Sequence, residues 1–468
     1  MTDSASSAAE QWVDDLVRVG VTGFGLARPS LIPKIRYTSR EFAIREHERL
    51  WPRVWQVACS VDHVASAGDY YEHRVGTASV LIVRGDDGEL RAFQNVCRHR
   101  GNLLCEGAGD GLTQLQCPYH HWTWDLQGRL REVPSRKTFG ALRSEDFPLF
   151  PVQVGTWGPM VFVNLDPDAE PLADYLEGIP DDTAWASLDE FRCQVTARIP
   201  VCSNWKVVAE GFSESYHIQG LHPEMLASVD DVNGPQRIFG RHSVLYQDYG
   251  VPSPRLGHDV ADDVVWESFV RTQGDRVGID RSDPAPMPPV PAGSTMREVI
   301  AARIREHQES FGADLSRYDT GQLLRLAQYN LFPNSSILVW GDELNVLLAL
   351  PGPEPDTAEL MVFVLHRASS PDKPRRRPRD HVLPPDGNLG PVFNQDVGVL
   401  ETAQRGLRQP GLTHLAVSAE ECRIVNLHRN LEHYLGIEPT ELLPIQLPAP
   451  IQSTQPGISG APVPHTAR

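Results

Sequence analysis

Between residues 55 and 95 apolar positions gather in four short runs, 55–60, 69–74, 79–84 and 90–95, set off by polar residues. Short runs with β-branched and aromatic residues between turn-forming ones predict strands. Gly85-Asp-Asp-Gly88 is a hairpin turn between two of them, and Gln127-Gly128 is another turn further on. A run at 160–164 closes this β-rich segment. Ahead of it, Thr38-Ser-Arg-Glu41 reads as a capping box that opens a helix to about Leu50. From about 166 the pattern changes. Helices are expected over 172–177, 204–220, 296–308, 394–405 and 418–434, and strands over 191–200, 336–340, 343–350 and 360–366. The stretch 252–325 otherwise reads as irregular, with Pro-Ala-Pro-Met-Pro-Pro-Val-Pro at 284–291, as in a lid or an access region. The basic, Pro-rich run 373–379 reads as a solvated loop. Residues 1–30 read as loosely structured, and the Pro/Ser/Gly-rich tail 447–468 as disordered. There is no internal repeat. The pattern predicts a small all-β unit followed by a larger unit of helices and strands.

Composition narrows the function classes. The chain of 468 residues is long enough for two or three cores. It has no apolar run of transmembrane length and no leader-like N-terminus, so a cytoplasmic protein is expected. The net charge of −18 argues against nucleic acid and anionic membrane as partners. The stretch 97–143 runs the other way, with Arg98, Arg100, Arg129, Arg131, Arg136, Lys137 and Arg143 against Glu106, Asp110, Asp125 and Glu132. A basic face there would help an acidic electron donor to dock; a mixed, solvated surface fits the same residues. Seven cysteines are scattered along the chain, an odd number that argues against a disulfide framework. Cys59, Cys105, Cys193, Cys202 and Cys422 read as packing residues.

Cys97 and Cys117 read differently. Cys97-Arg98-His99 is followed after seventeen residues by Cys117-Pro118-Tyr119-His120. Each short loop offers one thiolate and one imidazole. A Rieske-type [2Fe–2S] centre needs that set, with two Cys on one iron and two His on the other. Gly101 allows a tight turn after the first loop, and Pro118 stiffens the second. A structural zinc is the alternative, but its usual spacing pairs Cys with Cys and His with His.

A second constellation follows at Glu210-Gly-Phe-Ser-Glu214-Ser-Tyr-His217-Ile-Gln-Gly-Leu-His222. On a helix, 210, 214 and 217 fall on one face. His222 lies just before Pro223, where a helix must loosen. Two histidines plus one carboxylate form a facial triad that binds Fe(II) and leaves positions open for O2 and substrate. Asp396, in Phe393-Asn-Gln-Asp396, is the candidate third ligand. Two nearby histidines alone would be read as a packed or surface pair; the first motif tips the balance.

Together these motifs resemble the large (alpha) subunit of Rieske non-heme iron aromatic-ring-hydroxylating oxygenases. The resemblance covers about 35–435. It rests on Cys97/His99/Cys117/His120, Asn204-Trp-Lys206, Glu214…His217…His222, Phe332-Pro-Asn334, Gln395-Asp396 and Gln404-Arg-Gly-Leu407. It implies an α+β chain: an N-terminal segment, 1–48, packing on the catalytic domain; an all-β Rieske domain, 49–165; a helix-grip catalytic domain with an antiparallel sheet and helices, 166–446; and the tail 447–468. It implies that Cys97 and Cys117 bind one cluster iron and His99 and His120 the other. His217, His222 and Asp396 would hold mononuclear Fe(II). Glu214 would bridge a cluster histidine of one subunit to an iron-ligand histidine of the next. Electrons from NAD(P)H would arrive through a reductase, with or without a ferredoxin. They would cross by His120, Glu214 and His217 within a head-to-tail homotrimer, with or without a small beta subunit. The implied reaction uses O2 to mono- or cis-dihydroxylate an aromatic or other hydrophobic ring. Oxidative O- or N-demethylation is the alternative, and a pure electron carrier would not need the long second region. Phe212, Tyr216, Leu221, Met225, Phe332, Val339, Trp340 and Val346 are candidates to line an apolar pocket.

The chain departs from the family pattern twice. Glu214 stands where Asp is frequent, keeping the charge but adding a methylene. His121 stands where Cys-Pro-Tyr-His is commonly followed by glycine, which puts a bulky side chain at the cluster's edge; it is not assigned as a ligand.

Overall fold

The computed structural model describes residues 29–438, apart from 284, 285, 371, 385, 386 and 388. The readings for 1–28 and for the tail 447–468 lie outside the described residues. Among the described residues no helix is long and apolar enough to cross a membrane.

Two sheets organise the chain. The first has seven strands in the order Gln56–Ser60, Met160–Asn164, Pro151–Trp157, Leu90–Gln94, Ala78–Arg84, Tyr70–Val75 and Ala108–Gly109. A three-stranded sheet, Leu115–Gln116, Thr123–Trp124 and Leu130–Glu132, carries the second cysteine loop at its edge. Leu81, Val83, Phe93, Leu104, Leu115, Trp122 and Trp124 pack together with Cys97 and Cys117 into a core of their own.

The second sheet has nine strands. Its central order is His242–Tyr249, Arg325–Leu331, Ser335–Val339, Glu343–Pro351, Ala358–Arg367 and Phe191–Val201, with every one of these neighbours antiparallel. Arg379–Val382 adds a parallel edge beside Phe191–Val201. The helix Trp205–Gly211 lies against this sheet, and the helices Pro391–Leu407 and Cys422–Leu435 pack around it. This is the antiparallel-sheet-plus-helices architecture of an α+β helix-grip domain. At the N-terminal end, Ser30–Pro33 pairs with His414–Val417.

Several elements differ from the sequence reading. The helix after Thr38 spans Arg40–Arg49, and its cap is Ser39, whose Oγ accepts from Phe42 N at 3.2 Å. Thr38 Oγ1 instead donates to Lys34 O. The stretch read as irregular contains the helix Asp262–Gln273, and Arg325–Leu331 at its end is a strand. Cys202 is exposed rather than packed, and all seven cysteines are free. The run 373–379 is tied down: Arg375 bonds Asp62 and the carbonyls of Asp189 and Phe191, and Arg377 bonds Asp110 and Gly109 O. Its charge made it look solvated, but its arginines strap the second sheet to the first.

The expected helix over 204–220 breaks. It runs as Trp205–Gly211, loses regularity over 212–217 and resumes for one turn at Ile218–Leu221. The cause is at Phe212, whose carbonyl accepts from Asn330 Nδ2 at 2.9 Å, Ser336 Oγ at 3.1 Å and Gln328 Nε2. A carbonyl held by three side-chain donors of the sheet does not continue the helix, and the flanking Gly211, Ser213 and Ser215 are weak helix formers.

Candidate metal centres and the active-site cavity

The two cysteine loops are closed by the same pair of bonds. In the first, Cys97 N donates to Asn102 O at 2.8 Å and Gly101 N to Cys97 O at 3.0 Å. In the second, Cys117 N donates to Trp122 O at 2.9 Å and His121 N to Cys117 O at 2.9 Å. Gly101 and His121 therefore occupy equivalent positions, and both are left-handed, at φ 79° and 58°. Glycine reaches that region without strain and a residue with a Cβ does not.

The loops bring Cys97, His99, Cys117 and His120 together. Both cysteines are buried, and burial pushes the Cys97 thiol up. The rings of His99 and His120 meet edge to face at 4.6 Å, and His99 stacks on Trp122 at 5.2 Å. The Nδ1 atoms of both histidines are buried with no hydrogen-bond partner. Unpaired buried nitrogens are costly unless a ligand satisfies them. Two thiols and two imidazoles with free Nδ1 atoms are the donor set that a Rieske-type [2Fe–2S] cluster takes.

The second centre draws on distant parts of the chain. His217, His222 and Asp396 are the one set of three or more His, Cys, Asp or Glu among the described residues whose donor atoms all lie within 4.8 Å of one another. His222 Nε2 is 2.9 Å, and His217 Nε2 3.8 Å, from Asp396 Oδ1. The other ring nitrogens are already engaged. His217 Nδ1 donates to Glu214 Oε1 at 2.6 Å, and His222 Nδ1 donates to Gln395 Oε1 at 2.6 Å. With Nδ1–H committed to an acceptor, His222 offers Nε2 as the ligand atom, and it faces a carboxylate oxygen. Two acceptors facing each other at that distance are satisfied by a shared cation. Burial opposes the charged form of His217, but its hydrogen bond to Glu214 and the charges of Glu214 and Asp396 outweigh this and raise its pKa. The same negative field favours a divalent metal.

The helix break separates two glutamates that helical spacing puts on one face. Glu214 turns to His217, its Oε2 also accepting from His217 N at 2.9 Å. Glu210 turns into a buried cluster, where it accepts from Tyr37 Oη at 2.8 Å and lies 2.9 Å from His428 Nε2. Burial pushes its carboxyl up to about 8.

The triad opens on a cavity of about 110 Å³. Of the apolar candidates, Phe212, Met225 and Trp340 line it. Phe332, Val339 and Val346 belong to the core instead, and Tyr216 is exposed. The rest of the wall is more polar than expected, with Gln247, Gln328, Glu343 and Asn345 contributed by the sheet. Sequence reasoning missed Glu343, and it quoted Gln395 beside Asp396 without giving it a role. The signals for them were a charged residue on the inward face of an apolar strand and an amide next to the candidate ligand Asp396.

Residues 54–151 match the Rieske [2Fe-2S] domain, and residues 184–437 match the catalytic domain of the ring hydroxylating alpha subunit. The chain belongs to this family. It has the Rieske [2Fe-2S] domain and the mononuclear-iron catalytic domain of that family. The glycine betaine monooxygenase oxygenase subunit of Pseudomonas aeruginosa (strain UCBPP-PA14) is 31% identical over 209 residues, 44% of this chain and 48% of that protein. The carnitine monooxygenase oxygenase subunit of Escherichia coli (strain K12) is 32% identical over 200 residues, 42% of this chain and 54% of that protein. The alignments thus span about half the length of these curated relatives. Among solved structures, a quaternary ammonium Rieske monooxygenase described for carnitine oxidation superposes with a TM-score of 0.65 at 19% identity, covering 87% of this chain and 96% of that one. Naphthalene 1,2-dioxygenase with indole bound gives 0.62 at 18% identity, covering 88% and 94%. At such identities these structures show the shared fold.

Proposed function

We propose that this Rieske oxygenase component is a monooxygenase that oxidises a quaternary ammonium compound at a carbon bonded to nitrogen, releasing an N-alkyl group. The observation that carries the reading is the convergence of His217, His222 and Asp396 on the wall of a small, partly polar cavity. The curated relatives act on glycine betaine and carnitine. They support N-dealkylation, the alternative reading of the sequence, over hydroxylation of an aromatic ring. A wall with three glutamines, an asparagine, a threonine, two glutamates and an arginine held by Asp275 suits a polar substrate better than a polycyclic hydrocarbon.

In this reading His217, His222 and Asp396 hold the mononuclear iron, and Cys97, Cys117, His99 and His120 hold the cluster. When bound, the iron supplies dioxygen activation and the cluster supplies single electrons. The chain's own residues prepare the site. Glu214 and Gln395 each accept a hydrogen bond from an Nδ1–H, fixing both imidazoles in the tautomer that turns Nε2 to the metal. Phe212 and Met225 cover the cavity wall near the triad. The oxygens of Glu214 keep lone pairs after bonding His217. They can accept from His120 Nε2–H of a neighbouring copy, whose Nδ1 faces the cluster. A head-to-tail ring of the chain would supply that neighbour, and a reductase using NAD(P)H would supply the electrons, directly or through a ferredoxin.

The test is turnover with a reductase, NADH and a panel of glycine betaine, carnitine, choline and naphthalene. Oxygen uptake coupled to loss of an N-alkyl group is expected with at least one ammonium compound. Hydroxylation of naphthalene with no ammonium compound consumed would overturn the reading.

A further inference from the structure

The cavity wall carries a carboxylate, Glu343, and a cation, Arg281, that do not pair with each other: Arg281 is held by Asp275. The inward face of the second sheet presents its side chains in rows. Gln328, Leu338 and Asn345 are register partners in one row, and Gln247 and Leu326 pair in the next, which Glu343 and Trp340 continue across the hairpin. Gln328, together with Asn330 and Ser336, fixes the carbonyl of Phe212, where the segment bearing Glu214 and His217 begins. The row of Glu343 lies two residues further along the strands, about 7 Å away. The triad and Glu343 thus line one small cavity from different elements.

Glu343 is 9% exposed, and its Oε1 accepts from Asn345 Nδ2 at 2.5 Å. Among the described residues it forms no ion pair, while the charges around it are already matched. Asp342 holds Arg276 through two bonds, at 3.0 and 2.6 Å, with both side chains fully buried. Asp275 holds Arg281 at 2.7 Å. Arg276 also covers one face of Trp340, 4.9 Å from the ring centre, so that face is closed to any other cation. Glu343 is left without an ion-pair partner among the described residues. A buried carboxylate in that state is strongly unfavourable unless a cation joins it or a proton neutralises it. Burial and Asp275 push this carboxyl toward the protonated form, and His366 and Arg276 pull it back.

We propose that Glu343 is the counter-charge for the cationic nitrogen of the substrate, a specificity-determining residue that admits an onium group and disfavours its uncharged carbon analogue. The assignment rests on the quaternary ammonium reading of the site and adds the residue that enforces it. An onium group in this cavity can offer one N-bound carbon to the triad while the positive charge, spread over its other N-bound carbons, is met by Glu343. A neutral analogue of the same shape leaves the carboxylate unpaired and binds more weakly.

The test uses the full-length protein, loaded with cluster and iron. The ligands are whichever of glycine betaine, carnitine and choline it oxidises, and the matching compound with C(CH3)3 in place of N(CH3)3+. The wild type is expected to bind the onium compound at least about tenfold more tightly than the carbon analogue. Glu343→Gln, with unchanged cluster absorption and iron content, should bring that ratio close to one by raising the KM for the onium compound, with kcat changing less. Glu343→Asp should keep most of the discrimination. Equal binding of the two ligands by the wild type overturns the proposal without any variant. So does a Glu343→Gln ratio equal to that of the wild type, or a Glu343→Asp variant that discriminates no better than Glu343→Gln. If the wild type oxidises no onium compound at all, the substrate reading itself falls. If it oxidises one and Glu343→Gln discriminates as before, only the role of Glu343 falls.

Discussion

The imidazoles of His99 and His120 present buried Nδ1 atoms with nothing to bond, whereas those of His217 and His222 have Nδ1 held by Glu214 and Gln395. The first pair sits on loops closed by backbone hydrogen bonds between residues 97 and 122. The second pair meets a carboxylate from another helix, with His222 and Asp396 separated by 174 residues. One centre is shaped by the backbone and completed by what it binds. The other is oriented in advance by side chains. A cluster that stays in place suits the first arrangement. A site that must keep positions open for two further reactants suits the second, because its ligands cannot rely on the metal alone for their geometry.

His217→Ala is the sharpest way to break this comparison. It removes a triad member and leaves both cysteine loops untouched. Mononuclear iron should be lost and turnover should fall below detection, while the visible absorption of the cluster stays as in the wild type. Iron analysis and an absorption spectrum check both halves. Iron content unchanged from the wild type would place the ligand elsewhere, and a bleached cluster would show that the two centres are not independent.

Glu214→Gln asks whether orientation by a side chain matters as much as the comparison claims. The amide can still accept from His217 Nδ1, but it lacks the charge. Cluster and iron should both remain, and turnover should drop by about 10–100-fold, as for other partners of metal-bound histidines. Steady-state oxygen uptake at fixed iron content measures this. Full activity would remove Glu214 from the path and leave it a structural carboxylate.

The same contrast explains what could be read from the chain. The cluster motif is local, so its spacing alone names its donors. The strands at 56–60, 70–75, 78–84 and 90–94 were legible because short runs of strand-favouring residues and the turn residues between them agree there. The triad is discontinuous. Asp396 could be chosen only as a candidate at a helix start and through a resemblance. The helix break at Phe212 was not legible at all, because its cause is three side chains from strands more than a hundred residues away. Glu343 was hidden for a related reason. The strand reads as an apolar run, and only the register places its first residue at the cavity. The helix Asp262–Gln273 was passed over beside the proline-rich stretch, although Val265, Trp266, Phe269 and Val270 mark its buried face.

The smallest expected effect tests whether the cluster loops are held by backbone alone. Gly101 and His121 make the same bond in equivalent turns, but His121 reaches φ 58° with a Cβ. A non-glycine residue in the left-handed region is strained by about 1–2 kcal/mol. Glycine relieves that strain but gains freedom in the unfolded chain, which takes back about 0.5–1 kcal/mol. His121→Gly should therefore stabilise the folded protein by up to about 1 kcal/mol, read as a higher denaturant midpoint with the same slope. The absorption of the cluster should not change, because the side chain of His121 is exposed and the backbone bond to Cys117 survives. A lower midpoint would mean that the imidazole of His121 makes a stabilising contact of its own. The second loop would then depend on a side chain, and the contrast with the triad would weaken at the edge of the cluster.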